Sequence, residues 1–158
     1  MSNYRVFPIP NSVAARIRKN KIDDFGHRTP VSNATETDNG PCRICLTLFA
    51  PGEQRILFSY APNQHDHPYN EVGPIYIHAQ ECLPYTAYEK FPAELRKRRP
   101  LVLRCYADDG TMVGGELVGD RAVEDVIVNL FENTEVKFLH ARTATVGCYI
   151  ARIERATS

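Results

Sequence analysis

Three thiols and one imidazole are spaced in this chain as the ligands of a single metal ion would be. Pro41-Cys42-Arg43-Ile44-Cys45-Leu46 contains a CxxC, and His78-Ala79-Gln80-Glu81-Cys82 supplies an HxxxC further on. Zinc takes deprotonated cysteine sulfur and neutral histidine nitrogen, four at a time and tetrahedrally. Two residues between cysteines let one turn aim both sulfurs at one ion. Cys42, Cys45, His78 and Cys82 are therefore the candidate metal ligands, and zinc the candidate ion. The same groups admit two other readings. One is a nucleophilic cysteine with a histidine base, His78 or His140, that is, a thiol-dependent enzyme. The other is plain burial in a protein-interaction module without chemistry, since free cysteine packs as a small hydrophobe. A thioredoxin-type CxxC opens a helix whose dipole activates the first thiol. Here the β-like run Leu46-Thr47-Leu48-Phe49 follows, which argues against that redox chemistry.

A second group lies toward the C-terminus. Strand alternation over residues 135–142 puts Val136, Phe138, His140 and Arg142 on one face. A hairpin centred near Ala144 sets His140 opposite Cys148, and a one-residue slip would part them. Arg104 lies in another strand, flanked on its own face by Val102 and Tyr106. Arg104, His140, Arg142 and Cys148 are thus candidates to line a pocket for a small anion, with arginine for carboxylate or phosphate and histidine for proton transfer. The alternative is a half-exposed sheet face with its arginines paired to acids. His65-Asp66-His67 sits in a polar loop before Pro68 and reads as solvated. His27 alone is uninformative. No Gly-rich phosphate loop, nucleophile-elbow serine or HExxH occurs.

The elements that must position these groups are mostly β. Tyr4 to Phe7 alternates as a first strand. Asn11 or Ser12 can cap a helix running to Lys19, with Val13, Ala14 and Ile17 inward. Residues 20–41 are a long polar connection. Ile44–Phe49 and Arg55–Tyr60 predict a hairpin around Pro51-Gly52, and Pro74 to His78 a further strand. Pro92 to Arg99 predicts a short helix. Leu101–Ala107 and Met112–Val118 flank Asp108-Asp109-Gly110, a hairpin signal. Ala122 to Asn133 is the clearest helix, with Val123, Val126, Ile127, Leu130 and Phe131 on one stripe. Glu135–Arg142 and Val146–Arg155 predict an antiparallel pair. The expected fold is α+β, one domain over residues 1–158, a mainly antiparallel sheet with two or three helices.

Composition narrows the functions. A chain of 158 residues buries roughly 70% of its unfolded surface, so it needs neither metal nor disulfide merely to fold. Nineteen basic and nineteen acidic residues cancel, giving no long-range pull on nucleic acid or on an anionic membrane. Arg96-Lys97-Arg98-Arg99 is a local basic cluster that reads as a solvated helix end. The N-terminus has no signal-peptide core, and no run approaches the ~18 apolar residues of a membrane span. Five cysteines are an odd number, too few for a disulfide scaffold. A reducing cytoplasm is the expected setting. Oligomeric state is not legible.

In Pro41-Cys42-Arg43-x-Cys45-Leu46, Gly52-Glu53, Gly73-Pro74-Ile75-x-x-His78-Ala79, Cys82, Leu103-Arg104-x-Tyr106, His140-x-Arg142 and Gly147-Cys148, the chain resembles the domain of unknown function 1203 family. The resemblance runs from Phe7-Pro8-Ile9 to Arg155. It implies a bacterial, single-domain, cytoplasmic protein and assigns it no particular activity. Members tend to read His-Val-Arg-Asn where this chain has His140-Ala141-Arg142-Thr143. The knuckle, hairpin and distant second pair also resemble a treble-clef zinc finger in outline, although Leu83-Pro84 stops a helix from starting at Cys82. The expectation is a ligand-binding domain with a Cys/His pocket for a metal ion or small anion.

Overall fold

The structure, a computed structural model, describes residues 2–97 and 100–157. Along the chain run β1 (Tyr4–Phe7), α1 (Asn11–Asn20), β2 (Val31–Asn33), β3 (Gln54–Tyr60), β4 (Gly73–His78), α2 (Ala93–Lys97), β5 (Leu101–Tyr106), β6 (Met112–Leu117), α3 (Val123–Glu132), β7 (Phe138–Thr143) and β8 (Tyr149–Arg155). One sheet has the order β1-β8-β7-β5-β6 and the other β2-β3-β4. Every strand pairing in them is antiparallel, so the α+β class expected from the sequence holds. Among the described residues no helix is long and apolar enough to cross a membrane.

The larger sheet separates its two faces by strand alternation. Leu101, Leu103 and Cys105 of β5 and Leu139 and Ala141 of β7 join Val123, Val126, Ile127 and Phe131 of α3 and Leu95 of α2 in one hydrophobic core. The helical stripe read from the sequence is the buried one, while Glu124 and Asp125 occupy the positive first turn of α3. The opposite face carries Arg104, Tyr106, Phe138, His140 and Arg142. A second core joins Ala14 and Ile17 of α1 to Ile56, Phe58, Ile75 and Ile77 of the smaller sheet, together with Cys42, Ile44 and Phe49.

Four local expectations change. Residues 44–49 form no strand and no hairpin with β3. They fold into a compact turn closed by a bridge between Pro41 and Leu48, and Leu46 adopts φ 55°, a left-handed conformation that no strand contains. β3 pairs instead with β4 and with β2, a short exposed edge strand inside the connection read as loop. Helix α1 starts at Asn11, so neither Asn11 nor Ser12 caps it. Pro10 holds the cap position without a side-chain hydrogen bond. Finally, β7 and β8 meet with His140 opposite Arg152 rather than Cys148, because the turn spans Thr143 to Cys148 and a bulge falls between Ala141 and Arg142. Of the basic cluster, Arg98 and Arg99 lie outside the described residues, and Arg96 pairs with Glu124.

The connection after α1 is tied down by Asp23, a buried carboxylate. Its oxygens accept from the backbone N–H groups of Phe25, His27 and Ser59, each at 2.9 Å, and contact the His27 ring. Burial pushes the carboxyl up, but those donors together hold it down at about 2. With the folded value depressed, its contribution is complete above the ordinary carboxylate range and is lost as pH falls through about 2. Asp23→Asn is therefore expected to lower unfolding free energy by about 2 kcal/mol at pH 7. In urea titrations the gap between the two proteins should narrow as pH drops below about 4. A gap independent of pH would show that the carboxylate charge is not what stabilises the loop.

Candidate metal centre

The turn after Pro41 brings the first two cysteines together. The Cys42 N–H donates to the Thr47 carbonyl at 3.0 Å, and the Leu46 N–H to the Cys42 carbonyl at 2.9 Å. The left-handed Leu46 reverses the chain, and its side chain is sealed in the core. Burial of that side chain, about 1.5–3 kcal/mol, offsets the roughly 1–2 kcal/mol that the conformation costs. β4 ends at His78, directly above this turn, and the Arg43 N–H donates to the Tyr76 carbonyl of the same strand at 3.0 Å. The chain then bends to bring back Cys82. No helix begins there, as Leu83-Pro84 foretold, and the Tyr85 N–H clasps the segment to the Ile44 carbonyl at 2.8 Å.

The outcome is a tetrad. One ligand atom from each of Cys42, Cys45, His78 and Cys82 lies within 4.8 Å of all the others. The Cys42 and Cys82 sulfurs are 3.8 Å apart, and the Cys45 sulfur is 3.6 Å from His78 Nδ1. Ordinary zinc bond lengths put the edges of a tetrahedron at about 3.8 Å between two sulfurs and about 3.6 Å between sulfur and nitrogen. All five cysteines are free, and 3.8 Å is far beyond a disulfide bond.

Neighbouring groups are arranged as an ion would require. His78 Nε2 lies 3.1 Å from Glu53 Oε2. A carboxylate only accepts, so Nε2 carries a proton, and Nδ1 is the nitrogen left facing the sulfurs as the one that could bind an ion. Carboxylate–histidine pairs of this kind orient imidazoles toward metals. Glu53 is itself held by the Ala50 N–H at 2.8 Å. Two further N–H groups approach the sulfurs, the His78 backbone N–H 3.4 Å from Cys42 and Arg18 Nη2 3.9 Å from Cys82. Three thiolates around a divalent ion would carry one net negative charge, and Arg18, from the last turn of α1, is placed to face it. Cys42 and Cys45 push the His78 imidazole up, to about 10. Cys42 and Cys82 hold the Cys45 thiol well below its usual range, while Cys42 and Cys45 push Cys82 up. Three crowded sulfurs thus compete for protons, a competition that a cation at the centre would relieve.

Neither Glu53 nor Arg18 was singled out from the sequence. Gly52-Glu53 reads as a turn and Arg18 falls unremarked inside the predicted first helix, and nothing local links either side chain to the three cysteines and His78.

The second group is only partly assembled. Arg104, Arg142 and Cys148 line one cavity of about 380 Å³, together with Glu71, Tyr60 and Tyr149. His140 lies behind it, with no solvent exposure. The rings of Tyr106, Phe138 and Tyr149 surround it at 4.6–5.3 Å. Both ring nitrogens lack a hydrogen-bond partner among the described residues. Burial, with Arg142, Arg152 and Arg104 nearby, pulls its pKa down to about 2. Of the loop histidines, His65 stacks on Phe138 and His67 Nε2 meets the Thr111 hydroxyl at 3.1 Å.

The model of one protein family, described as "Protein of unknown function (DUF1203)", matches residues 39–155. No curated protein and no solved structure matches the chain.

Proposed function

We propose that this chain, which belongs to the DUF1203 family, is a zinc-binding protein whose metal is held by Cys42, Cys45, His78 and Cys82. The observation that carries the reading is the agreement of the tetrad's sulfur–sulfur and sulfur–nitrogen distances with the edges of a zinc tetrahedron. Four protein ligands close the coordination sphere. The role is therefore structural: the ion pins the turn after Pro41 to the end of β4 and to the segment following it. Reduced thiols of this kind suit the cytoplasm.

One observation favours a second reading. Cys45, His78 and Glu53 stand in line, sulfur to Nδ1 and Nε2 to carboxylate, as nucleophile, base and orienting group would. Against it, Cys42 and Cys82 crowd the same sulfur, where a nucleophile would need room for substrate.

Elemental analysis of untagged protein is expected to find about one zinc per chain. With metal bound, iodoacetamide should leave Cys42, Cys45 and Cys82 unmodified, and chelation should release all three together. Fast alkylation of Cys45 alone, in protein without zinc, would instead establish the nucleophile. Glu53→Gln keeps the shape but weakens the hydrogen bond to His78. Zinc affinity is expected to fall about 10- to 100-fold, measured by competition with a chromophoric chelator.

A further inference from the structure

The larger sheet's open face holds an electrostatic imbalance that the metal centre does not explain. Arg104 and Arg142 come from neighbouring strands, β5 and β7, on the same face. They share one carboxylate, Glu71, with Arg104 Nη1 at 2.7 Å and Arg142 Nη1 at 3.3 Å from Oε2. Glu71 is half exposed, on the connection before β4, whereas the Arg142 side chain is only 7% exposed. Arg142 Nη1 donates to the Gly147 carbonyl at 2.8 Å, but its Nε–H is buried with no hydrogen-bond partner among the described residues. Tyr106 lies on the same face as both arginines. Two cations against one acid leave a positive charge uncompensated among the described residues, and an unpaired N–H on a buried cation is costly.

These groups line a cavity of about 380 Å³. Its remaining wall is apolar or aromatic, formed in part by Tyr60, Val72, Ile75 and Tyr149. A volume near the lower end of ordinary ligand sites suits a small molecule. The bulge between Ala141 and Arg142 brings Tyr149 opposite Arg142, and bulges commonly re-aim side chains at sites.

We propose that this cavity binds a small organic carboxylate, its carboxylate taken by Arg104 and Arg142 in place of Glu71 and its apolar body lying against Tyr60 and Tyr149. Glu71 keeps the arginine pair neutralised in part until the ligand arrives, and its exposed connection lets it swing away. Arginine pairs suit planar carboxylates because two parallel N–H groups match two oxygens. The site is separate from the metal tetrad, none of whose residues lines the cavity.

The probe is benzoate, with benzamide as its neutral counterpart and inorganic phosphate as an anion without an apolar body. Binding is read from the side-chain Nε–H resonance of Arg142 and by calorimetry, on protein with its metal content unaltered. Benzoate should shift that resonance saturably, and benzamide should bind at least about tenfold more weakly. Glu71→Gln, an exposed change that leaves the fold intact, should tighten benzoate by about threefold or more, because an internal competitor is gone. Arg104→Met should weaken it about tenfold or more. Equal binding of benzamide, phosphate binding as tight as benzoate, or no saturable shift in either wild type or Glu71→Gln up to about 10 mM would overturn the proposal.

Discussion

Cys42→Ser is expected to yield a protein without metal and less stable by about 4 kcal/mol at pH 7, the stabilisation supplied by an ion at a thousandfold excess over its dissociation constant. The serine hydroxyl is not deprotonated at this pH, so it supplies no thiolate ligand. The effect is large because this sulfur touches two parts of the cluster, the Cys82 sulfur and the His78 backbone N–H. It is also fully buried, in the core of the smaller sheet. Equilibrium unfolding of wild type, wild type with chelator and the variant checks the result. Chelated wild type and the variant should coincide within about 1 kcal/mol, and added zinc should restore only the wild type. A variant that keeps one zinc per chain, or a wild type indifferent to chelation, would remove the tetrad from the argument.

The second large effect concerns acid. His140 is neutral in the folded chain, its pKa drawn down to about 2 by burial and by three arginines. The groups facing it are Arg104 and Arg152 from the flanking strands, Arg142 on its own strand, and the rings of Tyr106, Phe138 and Tyr149. The unfolded imidazole takes a proton near pH 6.5. With the folded value depressed, the unfolded state binds more protons below that pH, and stability falls by about 1.4 kcal/mol per unit as the solution is acidified. The penalty is absent above pH 6.5 and grows progressively as pH falls toward the folded value of about 2. His140→Phe fills nearly the same space and leaves no ring nitrogen unpaired. We expect it to be neutral or stabilising at pH 7.5 and to exceed the wild type by about 2–3 kcal/mol at pH 4.5. Taking the difference between the two proteins at each pH cancels the titration of the thiols and of Asp23. Parallel pH profiles would show that His140 is not held neutral by its surroundings.

What could be read before the fold was known follows the range of the forces involved. α3 was legible because Val123, Val126, Ile127 and Phe131 recur at helical spacing and are all buried. The β5–β6 turn was legible because Gly110, at φ +89°, takes a conformation disfavoured for other residues. Gly110 also lies where an added Cβ would come within 2.9 Å of His65, so the loop above it depends on its smallness. The grouping of Cys42, Cys45, His78 and Cys82 was legible from residue type and spacing alone. Residues 44–49 misled because Ile44, Leu46 and Phe49 are all buried. An apolar run sealed on every side looks like a strand whether or not its backbone is extended. The pairing of His140 turned on the placement of the turn from Thr143 to Cys148 and, by one further residue, on the bulge between Ala141 and Arg142, neither of which a local pattern announces. Glu53 and Arg18 reach the cluster across 25 and 64 positions, distances over which only the folded chain carries information.

One residue between the paired cysteines has a consequence of its own. Arg43 is buried; its Nε–H donates to the Tyr149 carbonyl at 2.7 Å, and Nη1 contacts the Pro41 carbonyl. Tyr149 opens β8 and walls the arginine cavity. β4 makes a parallel connection, lining that cavity at Gly73 and Ile75 and ending at His78. An ion that fixes the turn after Pro41 therefore also fixes the wall on which an anion would rest. Ligands that share rigid struts act on each other's affinity reciprocally, so the cell's supply of one would set the protein's apparent appetite for the other.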